Sequence, residues 1–417
     1  MSFLPRSPLP AVLLLTLAAC QAGPSQPQTT TTTTAAKPAA STDTISAIAS
    51  TPGAAYRVFR GLLPGRADSV TVQLVTTPGQ FSTYGLGSRQ RGSYYGADGH
   101  AYELLGQATT PDSVVLSDTS PEHALEPQGA SLTWRLRQQP DGSLVGTAGQ
   151  QATHLRPVLT SAGSLHFAVR FLADSLAALP KDVQSPKARF SVQALLPTGG
   201  SPALREALTA SILRDLGSDT TGAQAPLQLA ALYRRQREAF FQDYRAEAAL
   251  LVPTDTADAG SYRASLNYTS QQASYVLFRQ GDLLSLAYFT YYFTGGAHGN
   301  YGTTGASYDL RTGRRLRYAD IFRPEAARQL PALLAVAVRP LVGLGSSEPL
   351  DKELFVKQMP ITHNVFLTTG GVEFIYQPYE IAAYAQGEVR VFLPLGQVRA
   401  LLRDGLPLPA PASVAKR

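Results

Sequence analysis

The strongest constraint in this 417-residue chain is the stretch Tyr288 to Leu310, YFTYYFTGGAHGNYGTTGASYDL. Aromatic and polar residues alternate up to Phe293, and a second alternating run leaves from Gly302. Period-two alternation on both sides of a glycine-rich bend predicts two antiparallel strands joined at Gly295-Gly296-Ala297-His298-Gly299-Asn300. Glycines at such a bend permit positive φ and close approach of neighbouring backbone. The bend also gathers a histidine, an amide and several tyrosine hydroxyls within a few residues. No other stretch concentrates so much specific chemistry.

The N-terminus sets where such a fold would work. Arg6 is followed by an apolar run, Leu9 to Leu17, and then by Leu17-Ala18-Ala19-Cys20. The run is too short to span a bilayer. It resembles the bacterial lipobox, in which small residues precede the cysteine that is lipidated and becomes the mature N-terminus. The expectation is a signal peptide over residues 1–20, lipidation at Cys20 and a membrane partner through the acyl chains. Gln21 follows the cysteine, where an aspartate would favour the inner membrane, so the expected place is the outer membrane, facing the periplasm. Cys20 is the sole cysteine, which excludes an intramolecular disulfide and a cysteine-based metal cluster. Residues 21–55 form a Thr/Pro-rich tether. Its threonine run, Thr29 to Thr34, buries too little apolar surface to offset chain entropy.

Residues 56–175 read as an all-β meander closing into a small barrel or sandwich. Short alternating runs begin at Tyr56, Ser69, Gly92, Ala101, Ser113, Ser131, Ser143 and Leu165. Turns at Pro78-Gly79, Asp98-Gly99 and Asp141-Gly142 punctuate them. Gly92-Ser93-Tyr94-Tyr95 and the later Gly142-Ser143-Leu144-Val145-Gly146 resemble a β-meander module of secreted bacterial proteins. Trp134, on an alternating strand, is read as core. After a connector at Leu176 to Ser185, residues 186–405 read as an α+β domain, an antiparallel sheet with helices on one face. Ser201-Pro202 starts a helix that Gly217 stops, and a longer helix runs from Pro226 to Leu251. Strands are expected at Tyr262 to Thr269, Ala273 to Arg279 and Leu283 to Thr294. A helix from Pro324 is expected to bend or restart at Pro331. Residues 406–417 read as a tail. The net charge of +6 comes without a basic run or a nucleic-acid motif, so no nucleic-acid partner is expected.

Three separated motifs carry a family resemblance. They are Gly295-Gly296-Ala297-His298-Gly299, the run Asp309 to Phe322, and Pro378-Tyr379-Glu380-Ile381-Ala382-Ala383-Tyr384-Ala385-Gln386-Gly387. Together they resemble the extracytoplasmic domain shared by the lysozyme-binding anti-sigma factor RsiV and the N-terminal part of the peptidoglycan deacetylase PdaC. The resemblance spans about Ala188 to Asp404. It implies an α+β envelope domain that binds a lysozyme-like protein or cell-wall glycan. The deacetylase motif Thr-Phe-Asp-Asp-Gly-Pro is absent from the sequence, so that activity is not implied.

The candidate ligand-binding residues are Tyr292, Gly295, Gly296, His298, Asn300, Tyr379, Glu380 and Tyr384. His298 is read either as a general base or as a ring that fixes the bend by bonding a backbone carbonyl. Glu380 is read as an acid, a sugar contact or a turn cap, and Asp309 and Asp320 as the remaining carboxylates a glycosidase pair could draw on. The other histidines are dispersed, with no metal-binding spacing, and neither a metal nor a cofactor is expected. The first expectation is therefore a non-catalytic binding lipoprotein. The alternative is an enzyme acting on cell-wall glycan through His298 and Glu380.

Overall fold

The structure, a computed structural model, describes residues 50–63, 68–77, 90–107, 112–120, 133–159, 161, 163–217, 228–251 and 265–409. The expected signal peptide, Cys20, most of the expected tether and residues 410–417 lie outside them. The first eight strands are β1 (Ala55–Leu62), β2 (Ser69–Thr76), β3 (Gln90–Tyr95), β4 (Tyr102–Gln107), β5 (Ser113–Asp118), β6 (Thr133–Gln138), β7 (Leu144–Ala148) and β8 (Gln151–Pro157). Each pairs antiparallel with the next, and β1 pairs with β8, so the meander closes as a barrel. Alternation sends Phe59, Val72, Leu74, Leu116, Trp134 and Leu155 inward, and Trp134 is wholly buried. Closure removes exposed strand edges.

The strand expected from Leu165 belongs elsewhere. It is β9 (His166–Ala177), and it pairs along its full length with β10 (Lys187–Thr198) in the second sheet. The boundary between the two β units therefore falls after Pro157 rather than at residue 175. β8, which closes the barrel, is a strand the sequence reading lacked.

The second sheet runs β14-β13-β12-β11-β10-β9, with β11 (Thr269–Gln280), β12 (Leu283–Phe293), β13 (Asn300–Asp309) and β14 (Arg314–Leu316). All neighbours are antiparallel except β10 and β11, which are parallel. A parallel pair needs a crossover, and α1 (Pro202–Leu216) and α2 (Leu229–Leu251) occupy that connection. Ser201 caps α1, its hydroxyl accepting from the Leu204 amide, with Pro202 at the first position. Of the strand expected at Tyr262 to Thr269, residues 262–264 lie outside the described residues and 265–268 are not strand; β11 begins at Thr269.

A three-stranded sheet follows, β15 (Val365–Leu367), β16 (Gly371–Tyr376) and β17 (Val389–Pro394). It packs on β12 and β13, where the Ser285 hydroxyl donates to the Leu367 carbonyl and the Leu367 amide donates to the Ser307 hydroxyl. Short α3 (Tyr318–Ile321) precedes α4 (Ala326–Leu341), and α5 (Leu395–Val398) ends the helical set. α4 does not restart at Pro331. Ala326, Leu330, Leu334 and Val338 form one buried stripe, and that packing outweighs the backbone bond the proline forfeits. The start of the expected tail is packed as well: Leu406 and Leu408 lie against the core.

The barrel and the second sheet share a core. Val75, Tyr95 and Ala101 bury against the sheet, with Tyr95 and Phe278 rings 4.4 Å apart. The Ser93 hydroxyl bonds the carbonyls of Val276 and Leu277 at the register shift in β11, where a bulged residue lacks a ladder partner. The joint also carries charge. Arg390 on β17 reaches Glu103 of β4 at 2.5 Å and Glu388 at 2.7 Å. The Tyr275 hydroxyl of β11 donates to Glu103 at 3.0 Å, and His100 stands 3.7 Å from Glu373 of β16. Burial pushes the Glu103 carboxyl pKa up, opposed by the Arg390 charge. Burial works against the Arg390 charge, but Glu103 and Glu388 overcome it and hold that guanidinium well above its ordinary value.

Candidate ligand-binding surface

The bend opens between β12 and β13 as the alternation predicts. Gly295 and Gly296 sit at φ of 89° and 93°, values a side chain resists. Alternation on β12 and β13 then decides which rings can meet. Tyr291 pairs with Tyr301 and Tyr292 pairs with Asn300, so the two pairs face opposite sides of the sheet.

The segment Gln377 to Gly387 is laid against this bend by specific contacts. Gln377 Nε2 donates to the Thr303 carbonyl at 2.8 Å. A Cβ at Gly302 would stand 2.1 Å from Gln377 Oε1, so a larger residue there would push the Gln377 amide aside. Ile381 and Ala382 are buried and anchor the segment, with the Phe355 amide donating to the Ile381 carbonyl at 2.8 Å. Tyr379 sits at φ 70°, the one non-glycine residue with positive φ among the described residues. That backbone turns its ring outward, 55% exposed.

His298 is exposed. Its ring stacks on Tyr384 at 4.1 Å and 23°, with Tyr379 on the outer side, 5.4 Å from Tyr384. Tyr301 meets Tyr384 edge-on at 5.9 Å. Two polar atoms of this cluster are tied to backbone. His298 Nδ1 bonds the Gly299 carbonyl at 2.9 Å, which assigns the proton to Nδ1, and the Tyr384 hydroxyl donates to the same carbonyl. The His298 Nε2 then accepts from the Tyr379 hydroxyl at 3.4 Å, a weak contact. Desolvation, then the neighbouring hydroxyls of Tyr291 and Tyr379, push the Tyr384 phenol up, so it stays protonated at neutral pH.

Glu380 does not face His298. Its Oε2 accepts from the Gln377 amide at 2.8 Å while its own amide donates to the Gln377 carbonyl, closing a turn. Of the other carboxylates, Asp309 is ion-paired to Arg311 at 2.6 Å, and Asp320 accepts from the Arg317 amide at 2.9 Å. The structure thus brings together His298, Tyr379 and Tyr384 on the bend that Gly295 and Gly296 form. It leaves Tyr292 and Asn300 on the other face of the strands and turns Glu380 into its own loop. Tyr301 of β13 joins the cluster, and its place opposite Tyr291 is set by the strand register.

Among the described residues no group of three His, Cys, Asp or Glu side chains is placed to hold a metal ion, and no helix is long and apolar enough to cross a membrane.

Solved structures similar to this chain include two from one family. A DUF3298 family member from Bacteroides fragilis shares 24% identity over 58% of this chain and 96% of its own, with a TM-score of 0.49. A DUF3298 family protein from Pseudomonas aeruginosa shares 21% over 59% of this chain and 98% of its own, with a TM-score of 0.41. No curated protein matches the chain. Residues 319–396, the segment that supplies Tyr379, Glu380 and Tyr384, match the family described as protein of unknown function DUF3298.

Proposed function

We propose that this chain is a non-catalytic binding protein of the cell envelope. It is lipid-anchored at Cys20 and held off the membrane by the Thr/Pro-rich tether. It binds a lysozyme-like protein or a peptidoglycan-type glycan through the His298, Tyr379 and Tyr384 face. One observation carries the reading: an exposed stack of aromatic rings in which His298 Nδ1 and the Tyr384 hydroxyl are committed to the Gly299 carbonyl. Such a surface offers flat apolar area at little cost in side-chain entropy, as protein- and ligand-binding faces do. Acid–base work would instead need a second titratable group within reach of His298, and Glu380 is spent on the Gln377 amide.

The exposed Nε2 of His298, with only its 3.4 Å contact, is the observation that favours the alternative of an enzyme on cell-wall glycan. Retention on immobilised lysozyme and on insoluble peptidoglycan tests the first reading. The wild type should be held by one of them, and the double variant His298→Ala, Tyr379→Gly should be released without loss of melting temperature. Failure of the wild type to bind either would remove the proposal. Acetate or reducing ends released from muropeptides, and lost in His298→Ala, would establish the alternative instead.

A further inference from the structure

A second concave site shares no residue with the aromatic face. The last turn of α1, the edge strand β14, α3 and the segment before β15 enclose a cleft of about 500 Å³, within the range of small-molecule sites. Arg315 and Arg317 are two residues apart on extended chain and so point to one side. Arg214 and Asp215 come from the end of α1.

The charges do not balance. Three guanidiniums line the cleft against one carboxylate, Asp215. Both Asp215 oxygens are already used: Oδ1 pairs with Arg315, and Oδ2 accepts from the Tyr308 hydroxyl at 2.5 Å. Tyr308 is bonded in turn to Tyr288, and both rings are buried. This chain of buried bonds fixes the Arg315 guanidinium before any ligand arrives, the preorganisation that a binding site needs. Arg214 and Arg317 form no ion pair among the described residues. The rest of the lining includes Leu316, Val365 and the Tyr318 ring stacked on His363 at 4.3 Å and 18°.

We infer that this cleft binds a small organic anion, a carboxylate or phosphate on a sugar-sized body. Arg214 and Arg317 take the charge and the Tyr318–His363 stack takes the body. Planar guanidiniums suit both oxyanions. Two guanidiniums without an ion pair among the described residues give the cleft its sign.

Calorimetric titration of the whole protein with glucuronate, glucose 6-phosphate and glucose tests the inference. At least one of the two acids should bind saturably, weakening as salt is added, and glucose should not. The stronger of the two acids identifies which oxyanion the site prefers. Arg214→Ala with Arg317→Ala should weaken binding by about tenfold or more. The corresponding pair of lysine substitutions should keep most of it, and His298→Ala should leave it unchanged, which separates this site from the aromatic face. Absence of saturable binding by both acids, glucose binding as tightly as glucuronate, or binding that survives the double alanine variant would overturn the inference.

Discussion

Arg390→Met tests the ionic joint between the barrel and the C-terminal sheet. The guanidinium is 8% exposed and contacts Glu103 and Glu388, with Glu373 and His100 close by. Methionine keeps much of the stem's volume, so little cavity forms; what changes is that Glu103 and Glu388 lose their shared cation. Removing one partner of a buried pair costs about 3–5 kcal/mol, because the remaining charge is left uncompensated. The sign of the pH dependence follows from Glu103. Burial already raises its folded pKa above the unfolded value, and Arg390 is the largest opposing influence. Without Arg390 that pKa rises further. A raised carboxyl binds a proton more tightly in the folded state, so its stability contribution is fully present below the unfolded pKa and is lost as pH rises through the folded pKa. The variant's deficit should therefore grow with pH above the normal glutamate range, at up to about 1.4 kcal/mol per pH unit for one proton. Urea denaturation followed by circular dichroism at pH 5.5 and 7.5 measures this, with the midpoint shift as readout. Adding Glu103→Gln should recover part of the loss at pH 7.5. A deficit under about 1 kcal/mol, or one equal at the two pH values, would refute the uncompensated-charge account.

Trp134 is the sole tryptophan and is wholly buried in the barrel, so its emission reports on that unit. Trp134→Ala should cost about 3–5 kcal/mol, and Trp134→Phe clearly less, because the indole Nε1 has no partner to lose; chemical denaturation followed by far-ultraviolet circular dichroism measures both. Tyr308→Phe removes the hydroxyl that bonds buried Asp215 and should cost about 1–3 kcal/mol by the same measurement, with an unchanged barrel signal in tryptophan fluorescence at low denaturant. Tyr379→Gly relieves the φ 70° backbone and gives up little buried area, so the melting temperature should hold or rise, consistent with roughly 1–2 kcal/mol of relieved strain, while ligand retention falls.

Local pattern revealed most of the elements and few of their partners. The hairpin at Gly295 and Gly296 was legible because alternation and glycine act on the same few residues. The Ser201-Pro202 start of α1 was legible for the same reason. β8 escaped notice because only Thr153 and Leu155 of its seven residues face inward as buried side chains, too few to stand out as a period-two run. β9 is legible as a strand but its sheet is not, since nothing in His166 to Ala177 encodes whether its partner precedes or follows it. The same limit governs the site. Tyr379, Glu380 and Tyr384 share one motif, yet neither the turn that occupies Glu380 nor the stack of Tyr384 on His298 is written in it. The basic cleft was less legible still. Arg315 and Arg317 read as solvated turn residues until α1 brings Asp215 and Arg214 beside them.

How the two β units meet decides which experiments can locate function. Deleting the barrel looks like a direct way to ask which part captures a ligand. The shared core argues against it. Deletion would uncover Phe278 where Tyr95 now packs and leave the Leu277 carbonyl without the Ser93 hydroxyl. It would also strip Arg390 of Glu103. Each change falls on β11 or β17, and β11 pairs with β12, the strand that carries the aromatic bend. Loss of binding in such a truncation would report collapse of the support rather than removal of a binding surface. Point substitutions do not carry that ambiguity. Tyr379 and His298 are exposed, and Arg214 and Arg317 form no ion pair among the described residues. All four can be exchanged while the buried joint stays intact. If the His298 and Tyr379 variants leave capture of lysozyme or peptidoglycan untouched at full stability, the binding face lies elsewhere, and the exposed surface of the barrel becomes the place to look.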